Sequence, residues 1–336
     1  MPQTAAYTIV KLANGAHSVH SGAYGETFHP GIGPVAEAET LYVRQLRLPE
    51  RVEQTGGEFV LWDVGLGAAA NALTAIRLIR NHLAGQSAAA RESRAPKMLR
   101  VVSFDRTCDA LAFALQHGAE LGYVTEHETA LAELMANHST IIDDGLIKVE
   151  WTLQLGDFQE LISFSQADEV DQPERRSPIR RDASNLQSAG SETGAPTSQL
   201  QIENQKSKMA PHAILFDPHS PKKNPEMWTA ALFAALFRRL DPQRPCSLAS
   251  FTRSTMARVA MLLGGFFVGV GRPSGLKEET TVAANRLELL VEPLDRRWIE
   301  RAKRSGSAEP LREPVYRQVP LAPETWEQLR RHPQFL

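Results

Sequence analysis

An α/β protein with an open, doubly wound, mostly parallel sheet is the fold class this sequence predicts, on three observations. Strand-like runs alternate with helical ones between residues 58 and 165. The first of these strands, EFVLWDVG, ends in glycines and leads directly into a helical pattern. The second, LRVVSFD, ends in a carboxylate. Such alternation builds βαβ units with parallel strands, and ligands of such sheets sit outside the carboxyl ends of the strands.

Each element follows from its local pattern. Residues 1 to about 50 hold short alternating stretches, YTIVKL and HSVHSG, and then GPVAEAETLYVRQL, a helical pattern that turns Ala36, Leu41 and Val43 toward a core. After EFVLWDVG come the helical AAANALTAIRLIRNHL, the strand LRVVSFD and the helical TCDALAFALQHGAELG. IKVEWTLQLGD reads as a third strand, and FQELISF opens another helix. From Gln166 to Pro211 there is no aromatic residue, and Ser, Gln, Pro and charge dominate. Such a stretch buries too little apolar surface to offset its ordering entropy, so a disordered insertion is expected at 166–211. HAILFD then resumes the strand pattern, followed by a helix from Pro225 to about Leu240, SLASFT, the helical STMARVAMLLGGF and RLELLVEP. The expected division is an extension packing on the core at 1–57, the sheet domain at 58–292 with its insertion, and a polar tail at 293–336.

Composition narrows the function. With 336 residues, 42% hydrophobic and 23% charged, the chain can bury a sizeable core. No segment approaches the roughly 20 uninterrupted apolar residues of a spanning helix, and MPQTAAYTIVKLANG lacks a basic region followed by an apolar run; a cytosolic protein is expected. Cys108 and Cys246 are far apart without metal-ligand spacing, and the ten histidines never form HExxH, so no metal site is expected. Net charge is −2, yet Lys222 to Arg304 holds 15 Lys or Arg against 8 Asp or Glu. That side suits an anionic partner, although basic pairs such as Arg238 and Arg239 also suit a helix C-terminus.

Two stretches carry chemistry. In DVGLGAAAN, Gly65 and Gly67 permit a tight turn at a helix N-terminus, where a cofactor lies close to backbone. GLGAAA also satisfies a loose dinucleotide fingerprint, and a turn with no ligand remains open. Asp63 would repel a pyrophosphate but could accept hydrogen bonds from a cationic amino-acid moiety. Asp105 can take ribose hydroxyls, as in either kind of cofactor site. In LFDPHSPKKNPEMW, Asn224 is a candidate N-cap, Pro225 fits the first helical position, and Met227, Trp228, Ala231 and Leu232 form an apolar face. Asp217, at a strand's carboxyl end, faces the ligand crevice, while Lys222 and Lys223 suit phosphate or plain solvent.

DVGLGAAANALTAI, VVSFDR, LQLGDF, LFDPHSPKKNPEMW and the late GGFF followed by GLK resemble, in that order, the methyltransferase domain of the MnmC family of tRNA wobble-uridine enzymes. The resemblance covers about residues 20 to 290, and KNPEMW after a strand-end Asp is its most specific part. No segment matches the FAD-dependent oxidase domain of the fused enzymes. The resemblance implies a Rossmann-like class I fold, S-adenosylmethionine as cofactor, and tRNA, through its anticodon loop, as partner. Gly65, Gly67 and Asn71 match the cofactor loop and Asp63 its leading acid. Asp105 takes the ribose position, Asp157 an acid near the adenine, and Asp217 the active-site aspartate. Lys222, Lys223, Asn224 and Trp228 fall to substrate binding; Tyr24, Trp228 and His219 are candidate stacking partners, with core or loop packing as the alternative for each. Ala69 replaces the usual third glycine, and Pro218-His219 the usual Gly-Phe. The implied reaction is N-methylation of the aminomethyl group of 5-aminomethyl(-2-thio)uridine. The alternatives are an NAD- or FAD-binding oxidoreductase, or a degenerate protein that binds S-adenosylmethionine without catalysis.

Overall fold

The computed structural model describes residues 7–86, 96–164, 210–275 and 277–336. The expected insertion at 166–211 lies outside the described residues except for Ala210 and Pro211, which are buried.

The alternating N-terminal stretches form a small antiparallel sheet of β1 (Tyr7–Lys11), β2 (His17–Ser21) and β3 (Glu26–Thr27). The main sheet contains β4 (Glu58–Val64), β5 (Lys97–Asp105), β6 (Ser139–Asp143), β7 (Ile147–Leu155), β8 (Ala213–Phe216), β9 (Ser247–Ser250), β10 (Phe267–Gly271) and β11 (Thr280–Ala284). Their order is β10-β11-β9-β8-β4-β5-β7-β6, with β9, β8, β4, β5 and β7 parallel. From β4 the chain winds outward through β5 and β7, then returns to β8 on the other side of β4. The crevice at that reversal is where such sheets bind ligands. β4 is buried along nearly its whole length and β8 throughout, as expected of strands covered on both faces.

Several elements depart from the sequence pattern. β6 runs antiparallel to β7 at the sheet edge and leaves Ile141 60% exposed, so its STIID pattern carries little burial signal. The first helix is α-helical only over Pro34–Ala38 and continues as a π-helix over Glu39–Arg44. The wider π turn changes the phase. Ala36 is exposed, while Glu37, Ala38, Leu41, Tyr42 and Val43 are buried.

Asn224 and Pro225 open only a 3₁₀ turn, Pro225–Trp228, with no side-chain cap. The α-helix begins afresh at Ala230, capped by Thr229, whose Oγ1 accepts from Leu232 N at 3.1 Å. That restart turns Ala231 to solvent.

Residues 293–336 are no polar tail. They form helices at Arg296–Lys303 and Pro323–Arg330, and Trp298, Ile299, Ala302, Leu311, Leu329 and Phe335 join the main core. The segment also covers the exposed edge of β10. Leu294 N donates to Val268 O at 2.9 Å, and the Gln334 amide acts as a surrogate strand, accepting from Val268 N and donating to Val268 O, both at 2.7 Å. Gln334→Ala leaves the Val268 N–H without its partner, so stability should fall by about 1–3 kcal/mol. A lower urea midpoint at unchanged slope is the expected readout.

Candidate active site

Three strand ends build the site. At the end of β4 the chain turns through Gly65 and Gly67, with φ of +91° and +51°. Gly65 N donates to Phe104 O of β5 at 2.9 Å, and Asp217 N donates back to Val64 O of β4 at 2.9 Å. A Cβ on Gly65 would stand 2.7 Å from the Asp217 carbonyl oxygen, so only glycine lets these two backbones meet. Ala69 also adopts the left-handed conformation, φ +62°, just before the Ala70–Ala84 helix; this is the position where the resemblance expects glycine.

The loop and both strand-end acids share one hydrogen-bond system. Gly67 N donates to Asp105 Oδ2 at 2.8 Å, and Arg106 N donates to Oδ1 at 2.7 Å. Burial raises the Asp105 pKa against those two amide bonds. Asn71 Nδ2 donates to Asp217 Oδ2 at 2.7 Å, fixing the carboxylate, and His29 Nε2 lies 3.6 Å from the same oxygen.

The N-terminal segment, expected only to pack on the core, supplies a wall of the site. Glu26 reaches the loop after β8, accepting from Ser220 N at 3.1 Å and from the Ser220 hydroxyl, with His219 Nδ1 at 3.3 Å. Burial opposes ionisation of Glu26, but the bonds from His219 and Ser220 outweigh it and hold the carboxyl at about 2. Tyr24 stacks on His219 with centroids 3.7 Å apart. Together these groups enclose a cavity of about 590 Å³, whose walls include Phe28, Leu66, Asp105, Phe158, Asp217 and His219. That is the size of a nucleoside-derived ligand site.

Gly65, Gly67, Asn71, Asp105, Asp217 and Asn224 all line this cavity. Five other expected residues stand differently. Trp228 is fully buried; its Nε1 donates to His219 O at 2.9 Å, and it packs on Phe216, Phe233 and Phe251, so it supports the loop and cannot stack on a substrate. Asp157 accepts from Arg106 Nη2 and from Gln159 N, both at 2.9 Å. Burial opposes its ionisation, but these bonds hold it below the usual carboxylate range. Its carboxylate is therefore spent on Arg106 and a helix start. Arg106 also pairs with Glu226 at 2.9 Å. Lys222 and Lys223 are exposed.

Asp63 is the fifth. It is fully buried behind the loop, accepts from Ser103 Oγ at 2.9 Å, and leaves Oδ1 without a hydrogen bond among the described residues. Burial, opposed by the Ser103 bond and reinforced by Asp217 and Asp105, pushes its pKa up to about 8. Burial thus disfavours its charge, and it stands behind the loop and not among the residues that line the cavity.

Sequence reasoning missed Phe28, His29, Glu37 and Lys277, all of which line the cavity. For Glu37 a signal existed, because it sits four residues before Leu41 and so shares the buried stripe of its helix.

The features that can hold a cofactor fit S-adenosylmethionine. A glycine turn opens onto the cavity beside a helix N-terminus, and Asp105 presents a carboxylate at the neighbouring strand end.

The Asp63 pKa has a testable consequence. A carboxyl whose folded pKa is raised from 3.8 to about 8 lowers stability as pH climbs through that window, with the full stability present only below the lower value. Asp63→Asn cannot ionise. Its unfolding free energy should therefore decline less than that of the wild type between pH 4 and pH 8, as read by urea titrations at both ends.

Comparison with known proteins agrees with this geometry. Residues 198–286 match a family model described as S-adenosyl-L-methionine-dependent methyltransferase. The chain is 24% identical over 294 residues to the tRNA 5-methylaminomethyl-2-thiouridine biosynthesis bifunctional protein MnmC of Ectopseudomonas mendocina, covering 86% of this chain and 36% of that protein. It is 24% identical over 300 residues to the protein of the same name from Aeromonas hydrophila, covering 87% and 38%. The chain thus spans little more than a third of the length of these curated relatives. Among solved structures, MNMC2 from Aquifex aeolicus shares the fold, with a TM-score of 0.59 and 19% identity over 98% of this chain and 86% of that one. The match over residues 198–286 supports an S-adenosyl-L-methionine-dependent methyltransferase over the oxidoreductase alternative, and in sequence and fold the chain is similar to MnmC proteins.

Proposed function

We propose that this protein methylates the primary amine of 5-aminomethyl(-2-thio)uridine at the wobble position of tRNA, with Asp217 as the catalytic carboxylate. The observation that carries the reading is the placement of Asp217. Its backbone abuts the cofactor turn at Gly65, and its carboxylate, held by Asn71, faces the cavity. A base there stands beside the methyl donor and within reach of an entering amine. The relatives named MnmC, whose names specify a methylaminomethyl-thiouridine of tRNA, support the acceptor.

When bound, S-adenosylmethionine supplies a methyl group on a sulfonium, which the amine's lone pair takes as the carbon–sulfur bond breaks and the bonding pair stays on sulfur. The protein's part is to position that amine and keep its lone pair free. Asp217 accepts the proton of the entering ammonium. Asp105, at the end of β5, would hold the ribose, and the turn at Gly65 and Gly67 would let the cofactor approach backbone. The Tyr24–His219 stack provides an aromatic surface for an unstacked base; an anticodon-loop base is already outside a duplex, so its extrusion costs little. Lys222 and Lys223, exposed on the Asp217 loop, meet phosphate.

Two variants separate binding from chemistry. Asp105→Ala should weaken S-adenosylmethionine binding by roughly 1.5–3 kcal/mol, the worth of hydrogen bonds to a charged group, in isothermal titration. Asp217→Asn keeps the shape and should bind the cofactor nearly as well as wild type, while turnover on tRNA carrying 5-aminomethyluridine falls by on the order of 10² or more. Full activity of Asp217→Asn would remove the assigned base. Binding of cofactor without any turnover by the wild type would instead favour a degenerate, non-catalytic protein.

A further inference from the structure

Among the residues that line the cavity, Glu37 carries a carboxylate that the reaction as described does not use. It is 6% exposed, yet it lines the cavity with Asp217, His29, Ser274 and Lys277. Its Oε1 has a long contact, 3.5 Å, with Ser274 Oγ, and its Oε2 has no hydrogen-bond partner by distance and angle among the described residues. Burial raises its pKa and Asp217 adds to that, while the charges of His29 and Lys277 and the nearby Gly31 backbone oppose it. Lys277 does not satisfy it: its Nζ donates to Phe251 O at 3.1 Å and lies over the Phe251 ring at 4.3 Å. A buried carboxylate oxygen left unpaired is costly unless a ligand completes it. A hydrogen-bond donor would complete it, and a cationic one suits a cavity wall that carries the carboxyls of Glu37 and Asp217 beside a single lysine, Lys277.

We propose that Glu37 is a specificity-determining residue of the acceptor pocket: its unpartnered Oε2 pairs with the protonated amine of the acceptor, so the site takes alkylammonium groups and rejects alcohols of the same shape. The assignment rests on the N-methyltransferase reading and divides the work of two carboxylates. Asp217 takes a proton, whereas Glu37 pairs with the nitrogen and is not the base. The acceptor nitrogen is a cation before deprotonation and again after it gains a methyl group, and Glu37 faces it in both states.

The test is a titration of the full chain saturated with S-adenosylhomocysteine, using benzylamine and benzyl alcohol as probes. The wild type should prefer the amine by about tenfold or more, the scale of one charge-assisted hydrogen bond. Glu37→Gln should lose most of that preference while its affinity for S-adenosylhomocysteine stays unchanged, which also reports that the variant is folded. Glu37→Asp, which keeps the charge, should retain part of it. A wild type indifferent to amine and alcohol, or a folded Glu37→Gln with its preference intact, overturns the proposal. The cofactor-analogue affinity measured in the same cell judges the methyltransferase reading separately.

Discussion

A Cβ on residue 65 would stand 2.7 Å from the carbonyl oxygen of Asp217, and the rest of the site depends on the absence of that atom. Because Gly65 has none, the end of β4 and the end of β8 meet at backbone contact, at the point where the sheet reverses its winding. The same turn presents Gly67 N to Asp105 and leads into the helix whose Asn71 reaches Asp217. One close approach thus sets the spacing between the carboxylates of Asp105 and Asp217. The hydrogen bonds from Asp217 N to Val64 O and from Gly65 N to Phe104 O lock both backbones to that arrangement.

Much of this was legible in the sequence, for physical reasons that also explain the failures. Buried parallel strands read as apolar runs, and the glycine turn and strand-end acids followed them in fixed order, so β4, β5, β7 and β8 and the positions of Asp105 and Asp217 could be placed from pattern alone. Residues whose partners are distant in sequence could not. Trp228 looks like a stacking surface until Phe216, Phe233 and Phe251 close around it, and Asp157 looks available until Arg106 takes it. Glu37 shares the buried stripe with Leu41, but a carboxylate on an apolar face is easily passed over in favour of its neighbour Ala36, which is exposed. The C-terminal segment reads as polar because its apolar residues are widely spaced, yet Trp298, Leu329 and Phe335 each find the same core, and Gln334 caps a strand edge.

Charge is arranged differently from its distribution along the chain. The basic surplus between Lys222 and Arg304 suggests a broad anionic surface, but much of it is structural. Arg258 is 2% exposed and bonded to Thr281, Thr280 and Glu279; Arg239, Arg244, Arg286 and Arg296 donate to backbone carbonyls. Acids gather where the ligands enter, since Glu37, Asp105 and Asp217 share one cavity, with Asp63 behind it. A pocket so composed favours cationic groups, and both a sulfonium donor and an ammonium acceptor are cations.

The most direct test of the account is transfer of a labelled methyl group from S-adenosylmethionine by the wild-type protein to two tRNA pools, one carrying 5-aminomethyluridine at the wobble position and one lacking it. The account predicts label in the first pool alone, recovered after digestion as 5-methylaminomethyluridine. Equal labelling of both pools, or label at any other nucleoside, would contradict the acceptor and with it the role given to the cavity's carboxylates.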